Sequence, residues 1–142
     1  MSAKEDTFTG TWRFSPKLSQ LSSPAPRSWI QQITVRHEEI FLTEHITRSD
    51  ETQLIQRVAA RFDSLDYPVE GSPIIDTIAY TRVNPNKVSG TGKKNGIACF
   101  TETVLLHPGH EAFSLSYSYQ VEGRTVAHGV AVFQLELQPS AA

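Results

Sequence analysis

The chain has 142 residues, 39% of them hydrophobic, with 13 basic and 15 acidic side chains and a formal net charge of −2. That length suits one domain, able to withdraw roughly 70% of its unfolded surface from water without cross-links. The near-neutral balance excludes an electrostatic footprint for nucleic acid or an anionic membrane, and the lone cysteine, Cys99, excludes an internal disulfide and suits a reducing compartment.

Residues Met1–Asp6 lack the basic start and apolar run of a secretory signal, and no apolar run reaches the roughly 18 residues of a membrane helix, so the expected location is cytoplasmic. The chain is taken as a single domain, 1–142, with 1–7 and 138–142 expected to be flexible. Between them, apolar and polar side chains alternate with a period of two, which is the pattern of half-buried strands. Strands are expected near Phe8–Phe14, Trp29–Arg36, Ile40–Thr47, Leu54–Phe62, Thr77–Val83, Lys87–Thr91, Ile97–Leu106, Ala112–Val121 and Thr125–Leu137. The links Asp50-Glu51, Asn84-Pro85-Asn86, Lys94-Asn95-Gly96, His107-Pro108-Gly109 and Glu122-Gly123 have turn chemistry, because Pro presets φ and Gly or Asn tolerates positive φ. Two longer links break the series. Ser15–Ser28 is too long for a hairpin and reads as one helical turn, N-capped by Ser15 with Pro16 following, or as an extended cover. Asp63–Asp76 carries two prolines and a glycine, which argue against a central strand.

An all-β chain of about eight to ten strands must bury one face and dispose of its sheet edges, and closing the sheet on itself does both. An up-and-down antiparallel barrel is therefore expected ahead of a β-sandwich, whose long crossings between sheets have no counterpart here. A barrel of this size either fills with side chains or encloses one small ligand.

The opening Gly10-Thr11-Trp12, the proline-containing link after it, and Asp66-Tyr67-Pro68-Val69 with Gly71, Pro73, Asp76 and Thr77 resemble the bacterial lipocalin-like domains. The resemblance covers nearly the whole chain. It implies a calycin-type barrel with an internal pocket for an apolar small molecule. The last strand departs from the lipocalin pattern, having no Arg beyond Arg124 to cover Trp12.

Assigning the more apolar parity of each strand to the interior places Trp29, Gln31, Ile33 and Val35 inside, then Ile40, Leu42, Glu44 and Ile46, then Leu54, Gln56, Val58, Ala60 and Phe62. Ile78 and Tyr80 join them, followed by Phe113, Leu115, Tyr117, Tyr119 and Val121. Of this set, Trp29, Gln31, Leu42, Glu44, Gln56, Val58, Phe62, Tyr80, Phe113, Leu115, Tyr117 and Tyr119 are the expected ligand-binding residues. Amides, a carboxyl and hydroxyls at inward positions fit a hollow interior better than a filled one, since each unpaired buried polar group costs about 1–3 kcal/mol. The candidate catalytic groups are Glu44, Tyr117, Tyr119 and His128, with Glu102 in reserve, because both faces of Ile97–Leu106 are apolar and its parity stays open. A bulge that turned Glu44 to solvent would remove it from this set.

No metal or cofactor is expected. His107 and His110 flank a turn without further ligands at metal spacing, and "GTGKKNG", Gly90–Gly96, lacks the phosphate-loop spacing and a following helix. Two functions follow from the same interior: binding of an apolar or aromatic small molecule, or catalysis by a cofactor-free cyclase or isomerase of a polyketide- or terpenoid-like secondary-metabolite pathway, working through shape and excluded water. The expected partner is that ligand or substrate, not nucleic acid or membrane. The oligomeric state is left open, a homodimer included.

Overall fold

The computed structural model describes residues 6–136. Ten antiparallel strands close into one up-and-down barrel, each pairing with its sequence neighbour and the first with the last. They are β1 (Gly10–Leu21), β2 (Ser28–Arg36), β3 (Glu39–Thr47), β4 (Gln53–Arg61), β5 (Tyr67–Glu70), β6 (Thr77–Asn84), β7 (Lys87–Lys94), β8 (Ile97–Leu106), β9 (Ala112–Val121) and β10 (Arg124–Leu135). The expected final residue of the last strand, Leu137, lies outside the described residues. Among those described, no helix is long and apolar enough to cross a membrane.

The turns are chemically legible. Asn95 and Gly96 (φ 51° and 79°) and Glu122 and Gly123 (52° and 77°) adopt the paired positive φ values of two-residue hairpins, whose twist matches that of the flanking strands. The register is long and unbroken where both strands alternate cleanly, as from Ser28↔Thr47 to Arg36↔Glu39 between β2 and β3.

Two stretches differ from the sequence expectation. Ser15–Leu21 forms no helical turn and stays extended in β1, with a bulge where the partners jump from Ser15↔Val132 to Gln20↔Val130. Ser19, not a capping Ser15, organises this stretch: its hydroxyl donates to the Ser15 carbonyl (2.6 Å) and accepts the Val132 N–H (2.8 Å). The second difference lies in Asp63–Asp76, which contains β5. This strand survives its proline because it is very short, pairing through Arg57↔Glu70 and Val58↔Val69 on one flank and Tyr67↔Ile78 and Pro68↔Thr77 on the other.

The interior is unevenly filled. Trp12, Phe113 and Phe133 are wholly buried and pack through ring centroids 4.8 Å (Trp12 to Phe113) and 4.9 Å (Phe113 to Phe133) apart. Trp12 donates its indole N–H to the Phe8 carbonyl (3.0 Å), so its tilted packing on Phe113 and this bond hold it without a covering arginine. Phe14 and Trp29 extend the cluster against Phe133. At one end of the barrel, Arg82 lies over the rings of Phe8 and Phe62 and pairs in a fork with Asp6 (2.7 and 3.0 Å). Val121, expected inside, is exposed at the β9 hairpin end.

Candidate functional site

The side of the barrel away from the aromatic cluster is hollow, with a cavity of about 310 Å³. Most of its wall is aliphatic, including Ile33, Leu42, Val58, Ile78, Val104 and Leu115, and Ser72–Ile75 contributes from the link after β5. A second cleft, lined by Pro24, Pro26, Ser49 and Asp50, shares Trp29, Ile46 and Arg48 with the cavity, so the two adjoin beside the β3–β4 turn.

Strand pairing gathers the polar groups into two rows. On one wall Gln31↔Glu44↔Gln56 crosses β2, β3 and β4. On another, Tyr80↔Gly90↔Glu102↔Tyr117 crosses β6, β7, β8 and β9. Side chains directly opposite on one face of a sheet are neighbours, so each row is a local cluster built from residues distant in sequence. Gly90 makes the second row possible. A Cβ there would stand 3.2 Å from Glu102 Oε1 and 3.2 Å from Tyr80 Cδ1, so the missing side chain is the space these two occupy.

Glu44 Oε1 accepts two hydrogen bonds, from the indole N–H of Trp29 (2.9 Å) and the amide of Gln31 (2.7 Å). Burial pushes its pKa above the ordinary 4.5, against the lowering effect of those two donors. Glu102 has no hydrogen-bond donor among the described residues; burial, and secondarily the charge of Glu44, push it up to about 8. Both carboxyls are only partly covered by neighbouring atoms, yet both lie deep in the protein, because the surface they retain belongs to the cavity wall. Tyr80 is 3% exposed, and burial followed by the fields of Glu102 and Glu44 raises its hydroxyl well above 10, keeping it protonated. Tyr117 is raised by burial alone and stacks on Phe100 at 6.3 Å between centroids. Neither tyrosine hydroxyl, nor Glu102 or the Gln56 amide, has a side-chain hydrogen-bond partner among the described residues. The chemistry available is that of two carboxyls, two phenolic hydroxyls and side-chain amides in an apolar enclosure, with Arg48 as a basic lining residue.

Trp29, Gln31, Leu42, Glu44, Gln56, Val58, Phe62, Tyr80, Leu115 and Tyr117 all line this cavity. Phe113, Tyr119 and His128 do not. Phe113 is consumed by the aromatic cluster, and Tyr119, opposite Phe100 and Ala127, sits beyond the hollow region. His128 is on the outer face, where its backbone N–H bonds Ser22 Oγ (2.9 Å). Glu102 was the group hardest to place from sequence, since the apolar Ile97 is 71% exposed and so misreports which face of β8 is inside. Arg48 and Ser72–Ile75 lie in links and carry no periodic signal.

The closed antiparallel barrel is consistent with the calycin-type fold of the lipocalin-like domains that the sequence resembles. No family model and no curated protein matches the chain.

Proposed function

We propose that this protein is a lipocalin-like binding module that takes an apolar or aromatic small molecule into its barrel. The observation that carries this reading is the cavity of about 310 Å³, which falls in the range of small-molecule sites and combines an aliphatic wall with polar groups, of which Glu102, Gln56 and the Tyr80 and Tyr117 hydroxyls have no side-chain partner among the described residues. In a filled core such groups would each cost about 1–3 kcal/mol, whereas a ligand or water in the cavity can satisfy them. Trp29 offers the readout, because it touches the cavity with one side and Phe133 with another, at 4.8 Å between centroids.

The test is titration with N-phenyl-1-naphthylamine, a neutral probe that brightens in apolar surroundings. Saturable one-to-one binding is expected, with energy transfer from Trp29. Val104→Phe, which adds a ring inside the cavity, is expected to weaken binding about tenfold while the folded spectrum is kept. Absence of saturable binding, or binding unaffected by the added ring, overturns the reading. Incubation with linear polyketide- or terpenoid-like compounds, followed by mass spectrometry and chromatography, addresses chemistry: recovery of unchanged compound is expected, and a new isomer would replace the binding module by an enzyme.

A further inference from the structure

We propose that the cavity selects an apolar organic monocation, an alkyl- or arylalkylammonium, held between Glu44 and Glu102 with its hydrocarbon body against the aliphatic wall. The inference rests on the binding reading above and deepens it. Glu44 and Glu102 open into one cavity from opposite clusters, and neither makes an ion pair among the described residues. The donors already present, Trp29 and Gln31, both go to Glu44 Oε1, leaving Oε2 and the whole Glu102 carboxyl as acceptors. Tyr80 supplies an independent pointer: a side chain 3% exposed, lining the cavity beside Glu102, with a hydroxyl that has no side-chain partner among the described residues. An ammonium brings N–H donors to these acceptors and a charge opposite to that of an ionised carboxyl, and the aromatic rings of Phe100 and Tyr117 line the same cavity. A carboxylate ligand would meet two carboxyls whose ionised forms repel it, and would oppose the ionisation of Glu102.

The titratable and charged groups that share the cavity with Glu102 are Tyr80 on β6, Tyr117 on β9, Glu44 on β3 and Arg48 just after β3; Gly90 on β7 contributes none. The raised value of about 8 means that Glu102 releases its proton when a cation binds at neutral pH. Affinity for a cation therefore rises with pH toward that value and then levels. An alkylammonium stays protonated throughout, its own pKa being near the lysine value of about 10.4.

The experiment compares 4-phenylbutylamine, 4-phenylbutanol and 4-phenylbutyrate as competitors of N-phenyl-1-naphthylamine between pH 6 and 8.5. The amine is expected to bind about tenfold tighter than the alcohol at pH 8, and its affinity to rise about fivefold or more across the range while that of the alcohol stays flat. Glu44→Gln and Glu102→Gln, both nearly isosteric, are each expected to cut the preference to within about threefold, and Glu102→Gln to abolish the rise with pH. Equal affinity of amine and alcohol in protein that still takes up the naphthylamine overturns the cation assignment and leaves the binding reading intact. Tightest binding of the butyrate, which would direct the ligand charge to Arg48, overturns it as well. Failure of every probe, the naphthylamine included, removes both.

Discussion

Glu102 is a carboxyl buried in the cavity wall, away from bulk solvent, and this couples stability to pH. Its pKa is about 8 in the folded protein against an ordinary 4.5, so between those values the folded state binds more protons than the unfolded one. Stability is then fully present below about pH 4.5 as far as this group is concerned, and falls as pH rises through 8, by at most about 1.4 kcal/mol per unit. Glu102→Gln is expected to flatten that decline, read as urea midpoints at pH 5, 7 and 9. An unchanged slope would mean that the carboxyl is solvated. Gly90 belongs to the same cluster. Gly90→Ala gains about 0.4–1 kcal/mol through the unfolded chain but forces Glu102 and Tyr80 apart at contacts of 3.2 Å, and overpacking costs about 1–3 kcal/mol. A net loss near 1 kcal/mol is expected, with weaker naphthylamine binding as the displaced side chains enter the cavity.

Among the strands, β1 and β5 are the two whose form depends on single residues. In β1 the hydroxyl of Ser19 bridges the bulge to β10, so Ser19→Ala is expected to cost about 1–2 kcal/mol and to speed hydrogen exchange of the Val132 amide, while distant amides such as that of Thr43 keep their relative protection. The end of β5 depends on Gly71, with φ at 80° and a position where a Cβ would stand 2.0 Å from the Ile55 carbonyl oxygen. Backbone cannot yield as a flexible side chain does. Gly71→Ala is therefore expected to cost more than about 2 kcal/mol in a urea titration, and a neutral effect would mean that β5 is free to detach from β4.

Across the whole molecule, closure is made by β1 against β10, from Trp12↔Leu135 to Leu21↔Gly129. The first and last strands of the barrel thus pair across the whole sequence between them, and non-local contacts of this kind are associated with folding in about milliseconds to seconds. The same seam shields the aromatic cluster, with Phe133 of β10 packed on Phe113, Phe14 and Trp29. A chain ending at Gly123, without β10, is expected to lose near-ultraviolet circular dichroism and any cooperative urea transition. Retention of both would show that nine strands suffice.

The period of two, the turn residues and the lack of helical signal were enough to determine an all-β chain and most of its strands, because alternation and positive-φ preferences are local properties. They also put Trp29, Gln31, Glu44 and Gln56 on interior faces, since clean alternation in β2, β3 and β4 leaves one parity open to the core. Local rules failed where local and tertiary forces compete. Pro68 disfavours a strand, yet β5 forms because the barrel needs a wall between β4 and β6; the apolar Ile97 lies outside while Glu102 lies within, because the register with β7 and β9 sets the parity of β8. Which part of the interior is filled and which is hollow was also beyond alternation. Phe113 and Tyr117 share a face of one strand, but the first is packed solid by Trp12 and Phe133 from β1 and β10, and the second opens onto the cavity. Only closure of the barrel brings those neighbours, and the two carboxyls, to their places.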